Sequence, residues 1–289
     1  MKKNYHLLLI DPQNDFCDLP ATYLMSDPAS GESVIPALAV PGAHADMQRV
    51  AQLIRQGGAG LSAISITLDS HHRYDIAHPG FWVNQDQQPV TPFTQISASA
   101  VRARQFLPRD QQALPRVLDY LDALEKNARY QLMVWPVHCE IGSWGQCVHV
   151  DVRAAYNHWE DVHCTSVQKM TKGANPWTEH YSALMAEVPD ANDPETQLNQ
   201  QLLQSLRNSD RVYIAGEAGS HCVKASAEHI VENLSPTERT KLVLVTDGMS
   251  PVAGFEDVQT VFLSDMQARG VRLATAAEVL AELMINSAS

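Results

Sequence analysis

The run Tyr5-His6-Leu7-Leu8-Leu9-Ile10-Asp11 constrains this chain most, because it is short, nearly all apolar and closed by a carboxylate. Such a run reads as a strand buried on both faces, which belongs in a parallel sheet. Asp11 is then expected at the strand's C-terminal end. From Asp46, the apolar residues Met47, Val50, Ala51, Leu53 and Ile54 recur at helical spacing and stop at Gly57-Gly58, a natural C-terminal breaker. A second strand, Leu61 to Asp69, again ends in an aspartate, and Tyr130 to Trp135 reads as a short third. Residues 211–216, the helical pattern through Val223, Ala227, Ile230 and Val231, then Lys241 to Val245, a further helix and a strand near Val271-Arg272-Leu273 repeat the alternation. This succession predicts right-handed crossovers and a three-layer α/β/α sandwich with a mainly parallel sheet. Ligands of such sheets bind beyond the carboxyl ends of the strands, where Asp11, Asp69 and the segment after Gly216 all fall.

The composition agrees with a globular chain: 289 residues, 45% hydrophobic and 19% charged. The formal net charge of −12 argues against nucleic acid or an anionic membrane as partner. No apolar run reaches the ~18 residues of a membrane span, and the Met1-Lys2-Lys3 start leads straight into a strand without a signal peptide, so a cytoplasmic location is expected. Five scattered cysteines without a C-x-x-C pair indicate neither a disulfide framework nor a cysteine-rich zinc site. Two proline-rich stretches, residues 17–42 and 79–115, break the alternation and read as long loops or excursions.

Asp69-Ser70-His71 leaves a predicted strand, and a period of two puts a carboxylate and an imidazole on one side. That pair suits a divalent transition metal as much as it suits a plain polar loop. His138, in Trp135-Pro136-Val137-His138-Cys139, could complete the site from another loop. Cys222 lies between a predicted strand and a predicted helix, where the positive end of the helix dipole favours a thiolate. A nucleophilic thiolate needs a proton shuttle, for which Asp11 is the obvious carboxylate, and a cation, for which Lys172 is a candidate. A Lys-Gly pair taken alone is ordinarily a solvated loop.

Together Asp11-Pro12-Gln13-Asn14-Asp15-Phe16, Asp69-x-His71, Trp135 to Cys139, Lys172-Gly173 with Tyr181-Ser182, and Gly216 to Val223 occur in the order seen in nicotinamidases of the isochorismatase-like cysteine hydrolase superfamily, which the chain resembles over nearly its whole length. The resemblance implies the isochorismatase-like hydrolase fold as a single domain over 1–289, lengthened by insertions at about 17–34 and 79–131. It implies Cys222 as nucleophile, Asp11 as general base and acid, and Lys172 as the third member of the triad. Asp69, His71 and His138 match metal ligands, and His78 matches a position that ligates directly in some members. Phe16, Trp135 and Tyr181 match residues that hold the substrate ring. The amides of Ala218 and Cys222 match the oxyanion hole, with a cis peptide at Glu217-Ala218.

The implied activity is a metal-containing amidohydrolase that converts nicotinamide or a related heteroaromatic amide to acid and ammonia through a thioester. The metal is expected to be zinc, with iron and manganese also compatible with the ligands. The implied assembly is a homo-oligomer. Three other readings stand beside it: a cysteine hydrolase retuned to another small amide or ureido compound, a non-catalytic ligand-binding protein, and a metallohydrolase that does not use Cys222. Gly219-Ser220-His221 departs from the Thr-Asp-aromatic sequence common before the nucleophile.

Overall fold

The computed structural model describes residues 1–289. From the N-terminus the elements are β1 Tyr5–Ile10, a small hairpin of β2 Met25–Ser26 and β3 Ser33–Val34, α1 Ala43–Gly57, β4 Ala63–Asp69, β5 Trp82–Asn84, β6 Thr94–Ile96, α2 Ala98–Arg102, β7 Phe106–Pro108, α3 Leu114–Asn127 and β8 Leu132–Val134. There follow α4 Val150–His163, β9 Gln168–Lys172, α5 Gln200–Arg207, β10 Arg211–Gly216, α6 Cys222–Glu232, α7 Pro236–Arg239, β11 Leu242–Val245, α8 Glu256–Ala268, β12 Arg272–Ala274 and α9 Ala276–Ser287.

Six strands form one sheet in the order β12-β11-β10-β1-β4-β9, and every pairing in it is parallel. From β1 the chain runs outward to β4 and β9, then returns to lay β10, β11 and β12 on the other side. With right-handed crossovers this reversal sends successive helices to opposite faces. Thus α1 packs with α4 and α9 in one layer, and α6 with α8 in the other. The register then aligns the strand ends: Ile10 lies opposite Gly216, and Asp69 opposite Lys172. The site therefore forms where the strand order reverses, beyond β1 and β10. No helix is long and apolar enough to cross a membrane.

Three sequence expectations need correction. β8, read as a further strand, pairs antiparallel with β6 in a separate two-stranded sheet and not with the central one. The central sheet gains β9 in its place, whose sequence Gln168-Lys169-Met170-Thr171-Lys172 carries no apolar run because it is an edge strand. Residues 79–131, read as loop, hold β5, β6, β7, α2 and α3 and build a second hydrophobic cluster around Phe81, Trp82, Ile96, Val117 and Leu121. Strands of three residues are too short to show a period.

Candidate active site

Asp11, the residue after β1, is fully buried, and Asp69 and Lys172 at the ends of β4 and β9 are buried with it. Lys172 Nζ lies 2.8 Å from Asp11 Oδ2, 2.9 Å from Asp69 Oδ1 and 3.6 Å from Cys222 Sγ, and it donates to His180 O at 3.0 Å. Burial opposes its charge, but Asp11 and Asp69 outweigh burial and hold the ammonium well above the ordinary lysine range. Asp11 is fixed from its other side by the Thr67 hydroxyl, which donates to Oδ1 at 2.6 Å. Thr67 stands two residues before Asp69 and so shares its face of β4, a signal that the strand period contained and the sequence reading missed.

Cys222 opens α6 as expected. Burial pushes its thiol well above the usual range despite Lys172, so the resting group is a thiol. Burial likewise raises Asp11 and makes it a stronger base than an exposed carboxylate. Lys172 Nζ touches both groups, which brings the Asp11 carboxylate and the thiol to one site. An acid and a base are thus poised together, with a fixed cation beside both.

The loop before α6 begins at Gly216, whose φ of +125° and 2.0 Å approach of a would-be Cβ to Ile10 O leave no room for a side chain. The Glu217-Ala218 peptide is cis, as the resemblance implies. Gly219 N–H donates to Ser250 O and Ser250 N–H to Glu217 Oε2, so the segment after β11 clamps both sides of that peptide. The N–H groups of Ala218 and Cys222 make no hydrogen bond within the chain. Two free donors therefore flank the thiol.

A cavity opens over Cys222 and brings together Phe16, Trp135, Tyr181, Ala218, Asp69, His71 and His138. Trp135 Nε1 donates to Tyr181 Oη at 2.9 Å and lies 3.2 Å from Glu179 Oε2, and the Phe16 ring meets His138 edge-on at 5.5 Å. Glu179, which sequence reading passed over, is pushed up to about 7 by burial. The excursion 79–131 closes over this box, with Phe93 edge-on to Trp135 at 5.9 Å and the nearby Tyr130 against Tyr181 at 4.8 Å.

The ligating atoms of Asp69, His71 and His138 lie within 4.8 Å of one another. His71 Nε2 and His138 Nε2 are 3.0 and 3.3 Å from Asp69 Oδ2, and His71 Nδ1 is 3.1 Å from Asp75 Oδ2. His138 Nδ1 donates to Pro136 O and His78 Nδ1 to His72 O, since a carbonyl offers no proton. Each ring is left with its Nε2 free of that bond. That of His138 faces a carboxylate oxygen, while that of His78 is buried without a partner, its ring 5.0 Å from His71 and 5.3 Å from His138. His78 stands beside the tight group of three, not within it. A carboxylate and two imidazoles converging here, with His71 steadied through Nδ1 by Asp75 and His138 through Nδ1 by Pro136 O, are a ligand set that fits a divalent cation. Gln13 holds the group in place, accepting from Asp69 N–H at 2.7 Å and donating to Asp69 O at 2.8 Å.

No protein-family model matches the chain. A curated nicotinamidase of Saccharomyces cerevisiae is 25% identical over 222 residues, 76% of this chain and 78% of that protein. Among solved structures, the yeast nicotinamidase superposes with a TM-score of 0.61 at 20% identity, covering 93% of this chain and 99% of its own. The Acinetobacter baumanii nicotinamidase/pyrazinamidase gives 0.61 at 20% identity over 96% and 98%. A Pyrococcus horikoshii pyrazinamidase, solved in complex with zinc, gives 0.53 at 19% identity over 94% and 99%.

Proposed function

We propose that this chain, which belongs with the nicotinamidases in the isochorismatase-like cysteine hydrolase superfamily, hydrolyses nicotinamide or a related small heteroaromatic amide to the acid and ammonia. One observation carries the reading. Lys172 stands 2.8 Å from the Asp11 carboxylate and 3.6 Å from the Cys222 thiol, which itself lines an aromatic cavity beside two unpaired N–H donors.

Asp11 takes the Cys222 proton as the sulfur attacks the amide carbon, and Lys172 keeps the shared negative charge in place. The Ala218 and Cys222 N–H groups receive the oxyanion, a contribution of about 3 kcal/mol for a well-placed donor. The C–N bond breaks with the Asp11 proton going to the leaving nitrogen, which departs as ammonia. Water, deprotonated by Asp11, then attacks the thioester, and the thiol returns as the acid leaves. Phe16, Trp135 and Tyr181 hold the ring throughout, which fixes the carbonyl over the sulfur.

Asp69, His71 and His138, with His78 beside them, would hold a divalent ion, zinc before iron or manganese. Such an ion supplies a Lewis acid for the ring nitrogen. We read residues 1–289 as one catalytic domain whose excursions at 17–34 and 79–131 shape the cavity. We further propose a cytoplasmic, homo-oligomeric enzyme of NAD metabolism, as the family resemblance implies.

The test is ammonia release from nicotinamide and from a panel of small amides and ureido compounds, by the native chain and by Cys222→Ala. Loss of turnover in the variant supports the thioester route, whereas full activity in the variant supports a metal-activated water. Activity confined to non-aromatic amides overturns the ring-amide reading.

A further inference from the structure

His221 is a polar cavity side chain to which the chemistry above gives no task. It precedes the nucleophile, is 8% exposed and lines the same cavity. Four rings enclose it, with centroids at 4.7 Å for Phe255, 5.1 Å for Trp135, 5.7 Å for Tyr181 and 6.4 Å for Tyr130. Burial in that sleeve, with Lys224 adding a smaller push, lowers the imidazole to about 4. The ring is therefore neutral near pH 7 and has one N–H to place.

The hydrogen bonds decide which nitrogen carries the proton. Ser220 is fully buried, and its Oγ accepts from Val252 N–H at 3.0 Å and lies 2.9 Å from His221 Nδ1. Ser220 Oγ has no other acceptor for its own proton within the chain, so it donates to Nδ1 and the ring proton sits on Nε2. His221 Nε2 makes no hydrogen bond inside the chain, yet it is not sealed off as His78 Nε2 is. A neutral N–H donor, held by its neighbours on every other side, is left at the cavity next to Cys222.

Resting on the amidase reading above, we infer that His221 determines specificity, its Nε2–H donating to an acceptor on the substrate ring at the position adjoining the carboxamide. The carboxamide carbon must meet Cys222 Sγ and its oxygen the Ala218 and Cys222 amides, so the ring edge bearing the carboxamide faces the part of the cavity that Ala218, His221 and Cys222 line. A fixed buried donor discriminates against a C–H at that place, because the N–H is then left unpaired. The favoured class is a diazine carboxamide, or a pyridine carboxamide with an acceptor beside the amide.

Nicotinamide and pyrazinamide provide the test, since they differ by one ring C–H replaced by nitrogen next to the carboxamide. The readout is the ratio of kcat/KM for pyrazinamide to that for nicotinamide, from steady-state ammonia release by the full chain. His221→Phe keeps the ring and loses the donor, and should lower that ratio about tenfold, chiefly through the KM for pyrazinamide. Ser220→Ala leaves the imidazole but frees its tautomer, and should lower the ratio in the same direction. His221→Gln, whose amide N–H reaches as far as Nε2, should restore most of it. A ratio that none of the three changes, or that the Gln variant lowers as far as the Phe variant, overturns the inference. A native chain that turns over neither compound overturns the ring-amide reading itself and this inference with it.

Discussion

Lys172 and Asp11 meet at 2.8 Å although β9 and β1, which carry and precede them, are separated in the sheet by β4. The contact exists because all three parallel strands end at one edge, and Asp69 at the end of β4 takes the second face of the ammonium at 2.9 Å. Removing the cation would leave two buried carboxylates facing each other. Lys172→Met should therefore lower stability by about 3–5 kcal/mol in urea unfolding, the usual penalty for an orphaned buried charge. Ammonia release should be lost with it. A Lys172→Met chain that unfolds at the native midpoint would show that Asp11 and Asp69 do not depend on this ammonium.

Asp11→Asn isolates the proton transfer. The substitution preserves shape and removes the base, leaving a thiol that burial holds well above its usual range. Turnover near neutral pH should fall by about 10²–10⁴. The residual rate should climb with pH more steeply than the native one, since hydroxide must now do what Asp11 did. Parallel profiles for the two proteins would assign the proton to another group.

The metal reading depends on how His71 is held. Asp75 Oδ2 lies 3.1 Å from its Nδ1, the arrangement that fixes a ligating ring and raises its basicity. Asp75→Ala should weaken binding of zinc by about 10–100-fold, read by competition against a chromogenic chelator without reference to activity. His138→Ala should abolish stoichiometric binding. Unchanged affinity in both would remove these residues from the metal site.

What the sequence revealed tracks what each residue's role depends on. Asp11 and Asp69 were legible because buried parallel strands are apolar runs, so a terminal carboxylate stands out against them. Cys222 was legible because a strand, a glycine-bearing turn and a helix leave a recognisable boundary at the dipole's positive end. Lys172 was not legible as strand, since β9 is an edge with most of its side chains in water. Its role came from the ordered match of five segments to a known family. Gln13 and Glu179 were invisible for a different reason. Each acts through a partner far away in sequence, Asp69 and Trp135 respectively, and no local period encodes such a pairing.

The histidines outside the metal cluster set the pH dependence of stability. Burial lowers His6 to about 4, and burial with Arg129 does the same for His229, burial with His44 for His149. Each folded value lies below the unfolded 6.5, so the unfolded chain takes up the proton first, and stability is lost as pH falls from about 6.5 toward 4. Glu179 and Glu187, both raised to about 7 by burial, act in the opposite sense. They hold a proton in the fold that the unfolded chain has released above its ordinary 4.5, so their contribution is lost as pH rises through 7. Glu217, which burial raises well above its ordinary range, acts with these two glutamates, so the histidine contribution is read from single substitutions and not from the net slope. His6 provides the cleanest test, since its Nε2 meets Ser65 Oγ at 2.8 Å while its Nδ1 is sealed without a partner. In His6→Gln the slope of unfolding free energy against pH between 5 and 6 should shrink by about one proton, or ~1.4 kcal/mol per pH unit. An unchanged slope would mean that His6 is protonated in the folded chain as readily as in the unfolded one.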